Sequence, residues 1–124
     1  MSRSEATFVR TFSQVDFDRF AQLSGDDNPI HTDADFSART RFGRTVAHGL
    51  LLCSVLRGLV DRLLPGGCML EQSVMFPAPT FAGEPMQFSA KLGDAAGEGV
   101  ELSLEVRRVN DGEITCQGRC KVAP

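Results

Sequence analysis

The chain has 124 residues, 42% of them hydrophobic and 23% charged, and carries a formal net charge of -3. That length favours one domain built around one core, here taken as residues 1–124. The composition is that of an ordinary globular protein, and the small excess of acid gives no general reason to expect nucleic acid or an anionic membrane as partner.

The first ten residues, MSRSEATFVR, lack the apolar core of a signal peptide. ATFVRTFSQ (6–14) alternates and is rich in Thr, Phe and Val, which predicts a first strand. The period then changes: Val15, Phe17, Phe20, Ala21 and Leu23 fall on one face of a short helix, with Ser13 or Asp16 to cap it and Gly25 to end it. Residues 26–31 read as a polar loop, because Pro29 disfavours a helical conformation at Asn28. TDADFSARTRF (32–42) predicts another short helix, started by Thr32 or Asp33.

Residues 47–64 form the strongest helix candidate, apolar nearly all round and closed by Pro65-Gly66-Gly67. Arg57, Asp61 and Arg62 interrupt it, so it reads as a buried core helix rather than a membrane span. From residue 68 the period is two. CMLEQSVMF (68–76) predicts a strand, and Pro77, Pro79 and Gly83 punctuate a loop. Three further strands follow over 84–93, 99–109 and 113–122, the last two joined at Asn110-Asp111-Gly112. Strands with a single apolar face need a cover, and the helix over 47–64 is the only element able to supply it. The fold class is therefore α+β, an antiparallel sheet wrapped around a central helix. One sheet of this size cannot cover so apolar a helix, which predicts a homodimer or a higher homo-oligomer.

Cys53, Cys68, Cys116 and Cys120 form no CxxC pair and no zinc spacing. They read as small buried hydrophobes in a reducing, cytoplasmic setting.

The polar loop carries the chemistry. Asp26 and His31 flank a turn stiffened by Pro29, so both side chains can point at one place. A carboxylate and an imidazole that converge can hold a water and exchange protons near neutral pH. Asn28 is placed to fix the loop or orient Asp26, and Asp27 faces solvent. Two plainer roles stay open: Asp26 as a turn or cap residue and His31 as a structural histidine. A metal set of Asp26, His31 and Asp33 has only one nearby histidine, so no metal is expected. His48 and Gly49 sit at the start of the long helix, where backbone N–H groups are unpaired and the dipole is positive. Without a Cβ, Gly49 lets a ligand oxygen approach its N–H closely. Arg39, Arg41 and Arg44 lie between these two segments, either as a solvated face or as phosphate contacts.

LSGDDNPIHTDADFS resembles the hydratase-2 signature of the MaoC-like dehydratases, through Phe20, Leu23, Ser24, Gly25, Asp26, Asn28, Pro29, Ile30, His31 and Ser37. VAHGLLLCSVL is similar to that family's His-Gly helix start, and SVMFPAPTFAGEPM to the strand and loop that follow it. The resemblance runs over roughly residues 8–122. It implies a hotdog fold that pairs into a dimer, with the Asp/His loop near the interface. It also implies (R)-specific hydration of trans-2-enoyl-CoA, or the reverse dehydration of (R)-3-hydroxyacyl thioesters. Asp26, His31 and Gly49 would be catalytic; Asn28, His48, Arg57, Arg39, Arg41 and Arg44 would contact substrate. Coenzyme A or an acyl carrier protein would carry the acyl group, and no metal or redox cofactor is needed. Thioester hydrolysis and a non-catalytic acyl-thioester-binding subunit of a heteromeric dehydratase are the alternatives. Two departures stand out: Phe20 replaces the usual Tyr, and Arg57 stands where relatives carry a Ser, which implies a polar acyl group or a short pocket if its side chain turns inward.

Overall fold

A computed structural model describes residues 4–124, so the first three residues of the N-terminal reading lie outside the described residues. The chain opens with β1 (Glu5–Thr11) and α1 (Gln14–Ser24), then two short helices, α2 (Pro29–Thr32) and α3 (Ala34–Ala38). The long helix α4 (Gly49–Leu63) follows, and then β2 (Cys68–Met75), β3 (Pro85–Ala96), β4 (Gly99–Arg108) and β5 (Ile114–Ala123). The strands form a single antiparallel sheet in the order β1-β3-β4-β5-β2. The order follows from the turns. β3, β4 and β5 are consecutive hairpins, the second closed at Gly112, whose φ of 75° a glycine adopts without strain. β1 and β2 then add at opposite edges.

One face of the sheet is apolar at every second residue: Met86, Phe88 and Ala90 on β3, Leu102, Leu104 and Val106 on β4, Cys116, Cys120 and Val122 on β5. Leu52, Leu56, Leu59 and Val60 of α4 fill the hollow of that face. Each side chain buried in this way contributes about 1.5–3 kcal/mol. α4 is therefore the central helix that the pattern over 47–64 predicts, shortened at both ends. Ala47 is held outside by its N–H, which donates to the Thr80 carbonyl at 2.8 Å, and His48 is the N-cap. Its stripe of Leu50, Ser54 and Gly58 faces out of the single chain, with Leu50 69% exposed.

Two expectations are corrected. Residues 26–31 are not all loop: Pro29 opens a one-turn helix, because a missing N–H costs nothing at a first helical position and the Asn28 side chain caps the turn. Cys68 is exposed, unlike the three other thiols, because it starts an edge strand.

Candidate active site

Gly25, at φ 81°, ends α1 and turns the chain sharply, its N–H bonding the Ala21 carbonyl at 2.9 Å. Asp26 and Asp27 then cross to Asn28, whose Oδ1 accepts the Ile30 N–H at 3.1 Å. The single turn of α2 brings His31 back towards Asp26. Val46, which bridges to Phe81 beside α2, donates its N–H to the Ile30 carbonyl at 3.1 Å and accepts His31 Nδ1–H at 2.8 Å. A carbonyl can only accept, so Nδ1 carries a hydrogen and Nε2 of the neutral ring is left as a lone pair. That Nε2 faces Asp26 Oδ2 at 3.8 Å. The separation is too long for a direct hydrogen bond and suits one water held between the two groups. The imidazole is mostly enclosed, at 14% exposure, and the carboxylate stands open at 56%.

Beneath the pair lies His48, only 2% exposed. Its Nε2–H donates to the main-chain carbonyl of Asp26 at 2.9 Å. Its ring stacks on that of His31, with centroids 3.8 Å apart and planes 21° from parallel. Phe20 packs against it as well, tilted, with ring centroids 4.9 Å apart. Burial pushes the His48 pKa below the ordinary value and His31 nearby adds to this, while the bond to Asp26 and its carboxylate oppose. Nδ1 of His48 is buried without a partner among the described residues.

Ligand atoms of Asp26, His31 and His48 lie within 4.8 Å of one another, close enough to suggest a cation site. The ring geometry argues against one. Stacked rings direct their lone pairs along nearly parallel planes, so a single ion cannot lie in both.

Gly49 follows at the first position of α4. The His48 carbonyl accepts from Leu51 and Leu52, while the Gly49 N–H has no acceptor among the described residues. The space left by its missing Cβ is not vacant, as the sequence suggested. A Cβ there would stand 2.6 Å from the Phe76 ring, so glycine is needed for that ring to close over the helix start. A cavity of about 260 Å³ opens beside it, lined among others by Arg41, Phe42, Gly49, Phe76 and Thr80. At its base Thr80 and Thr115 share a buried hydroxyl–hydroxyl bond of 2.9 Å. Neither Asp26 nor His31 lines this cavity; the segment from Val46 to Gly49 separates the two features.

The structure thus pairs Asp26 with His31, links both to the start of α4 through His48, and moves most of the expected substrate contacts elsewhere. Asn28 serves as a helix cap. His48 is too buried to touch substrate and works from below. Arg57 lies eight residues beyond Gly49, about 12 Å along the helix. It donates to the Gly67 carbonyl at 3.3 Å, tying down the turn after α4. Arg44 is paired with Glu84 at 3.2 Å and lies over Phe81, and Arg39 is an exposed C-cap. Of the three loop arginines only Arg41 reaches the cavity rim, where it covers Phe42. No residue pattern pointed to Val46, which acts through its carbonyl. Phe76 carried a faint one, a large aromatic placed just before Pro77.

A model of the MaoC-like domain matches residues 3–113. The chain is 40% identical over 82 residues to the (R)-specific enoyl-CoA hydratase of Aeromonas caviae, a match spanning 64% of this chain and 61% of that protein. It is 32% identical over 115 residues to the 3-hydroxybutyryl-CoA dehydratase of Methylorubrum extorquens, spanning 91% of this chain and 73% of the relative. Among solved structures, the (R)-hydratase from A. caviae involved in PHA biosynthesis superposes with a TM-score of 0.88 at 29% identity, covering 98% of this chain and 95% of that one.

Proposed function

Because the chain belongs to the family of MaoC-like domains, we propose that it is a hydro-lyase adding water reversibly to a trans-2-enoyl thioester, with an (R)-3-hydroxyacyl thioester as product. The relatives named above support hydration or dehydration and give no support to thioester hydrolysis. The observation that carries the reading is the Asp26–His31 pair: two proton acceptors 3.8 Å apart, with the tautomer of the ring set by the Val46 carbonyl.

The β-carbon of an enoyl thioester is a weak electrophile, and attack on it drives negative charge onto the thioester oxygen. A water gripped by Asp26 and His31 loses a proton to the pair as it attacks, and the pair returns a proton to the α-carbon. The unpaired N–H of Gly49, at the positive end of α4, is the donor placed to meet the enolate oxygen; such a donor is typically worth about 10²–10³ in rate. The chemistry needs no change of oxidation state and no metal. The thioester would lie across the start of α4, its oxygen at the Gly49 N–H and its double bond towards the pair, with the cavity beyond Gly49 left for the part that does not react; Arg41 at the cavity rim suits the phosphates of coenzyme A or of a carrier-protein arm.

A second copy of the chain completes the site. Asp26 stands open in one chain, and the α4 stripe, the β2 edge with its Met75, and Phe76 just after it lack cover. A homodimer paired along β2 would enclose them. The free thiols suit the reducing cytoplasm.

The deciding assay follows the enoyl absorbance of crotonyl-CoA and longer enoyl-CoAs, alongside free thiol. Loss of absorbance with an (R)-3-hydroxyacyl product is expected. Thiol release without hydration would replace this reading with thioester hydrolysis.

A further inference from the structure

We propose that His48 is a positioning residue for the Asp26–His31 pair: one edge of its ring holds the backbone of Asp26 and its face sets the plane of His31. The inference rests on the hydratase reading for its catalytic consequence, and on geometry alone for the clamp itself.

Asp26 has few other anchors. Its N–H reaches Ser24 Oγ at 3.1 Å, and its carboxyl accepts the Asn28 N–H only at 3.5 Å. Both contacts are exposed, where water competes. The bond from His48 to the Asp26 carbonyl is shorter, at 2.9 Å, and comes from a side chain sealed inside the protein. His31 is held in turn along one edge by Val46 and across its face by His48. Because His48 is also the N-cap of α4, the same residue ties the pair to the Gly49 N–H. Three groups that must meet one substrate are thus referred to one side chain.

The residue type fits this task and not that of a filler. A leucine would occupy the volume without a donor, and a phenylalanine would stack without one. Burial favours the uncharged form of this ring, with His31 beside it adding to that and the Asp26 carbonyl and carboxylate opposing. The buried, unpartnered Nδ1 is what remains when Nε2 is committed to the loop. A role confined to stability gives no reason to keep an unsatisfied atom there.

The test compares His48→Phe, which keeps a ring without the donor, and His48→Gln, which keeps a donor without the ring, each alone and combined with Asp26→Asn. With crotonyl-CoA, His48→Phe should lower kcat about 100-fold with KM within about threefold, the scale of a small misplacement of catalytic groups. His48→Gln should recover part of that loss. In the Asp26→Asn background His48→Phe should cost less than about threefold, because a positioning residue has little left to position. Amide exchange of Ile30 and His31 should rise about tenfold in His48→Phe while α4 is unchanged. If His48→Phe melts below the assay temperature, His48→Leu takes its place. Equal losses in both backgrounds, or unaltered exchange at residues 30 and 31, would overturn the proposal. A wild-type protein that hydrates no enoyl-CoA would remove the hydratase reading instead, and exchange would still decide whether the clamp exists.

Discussion

At the scale of single residues, the site separates groups that react from groups that hold. Asp26→Asn should lower kcat for crotonyl-CoA hydration by about 10²–10⁴, the usual range for losing a positioned acid or base. The fold should survive, since its carboxyl makes only a long contact to the Asn28 N–H and the pairing with His31. His31→Ala should show a similar loss of rate plus about 1 kcal/mol of stability for the bond to Val46. Steady-state kinetics and a denaturant titration check both. His48 gives a pH signature. Its folded pKa lies below the ordinary 6.5, so the unfolded chain binds more protons as pH falls through that value. The stability His48 confers is therefore present above about pH 6.5 and lost below it. Urea midpoints measured from pH 8 to 5 should fall, and fall less in His48→Gln. Asp26 and His31 were legible in the chain because both lie in one short, stiffened segment. His48 was visible as a residue but not in its role, since burial and stacking depend on elements distant in sequence. Arg57 was misplaced for the same reason: its charge is evident in the sequence, while the carbonyl it meets belongs to the far side of the Pro65-Gly66-Gly67 turn.

At the scale of elements, local chemistry explains most of what forms. Ser13 caps α1 reciprocally with Asp16, whose carboxyl accepts the Ser13 N–H at 2.9 Å and is held below the usual carboxylate range chiefly by that bond. Ser13→Ala should cost about 1 kcal/mol in urea unfolding, with crotonyl-CoA turnover retained. A full loss of turnover in a folded Ser13→Ala protein would show that α1 is coupled to the site more tightly than its contacts indicate. Gln14 is the link through which such coupling would pass, because it donates to the His31 carbonyl at 2.9 Å and accepts from Thr45. The caps at Ser13, Gly25 and Asp33, the stop at Pro65 and the hairpin at Gly112 were each legible, because the residue that makes the structure is the residue that signals it. The single turn Pro29–Thr32 was not, since four residues are too few to show a period.

At the scale of the whole molecule, the apolar character of α4 exceeds what the sheet covers. Leu50 remains 69% exposed, and Met75, at 59%, lies on an edge strand with an unpaired side. We expect sedimentation to give a dimer, and Met75→Lys to shift it towards monomer with activity that falls on dilution. A monomer with full, concentration-independent activity would show that one chain suffices. The antiparallel sheet around a helix was readable from alternation and from one long apolar run. The cavity was not, because its walls come from the α3–α4 loop, α4, the β2–β3 loop and the start of β5, which no spacing in the chain relates.

The Val46 carbonyl has a consequence for the path of hydrogen. Since it occupies the far nitrogen of His31, that ring cannot pass a proton through itself from one edge to the other. Whatever the imidazole takes up it must release where it received it, so a single histidine acting alone would deliver oxygen and hydrogen to the same side of the double bond. In deuterated water the resulting label at the α-carbon would be fixed in handedness relative to the new hydroxyl, and a mixture of the two diastereomers would mean that a second donor reaches the opposite side.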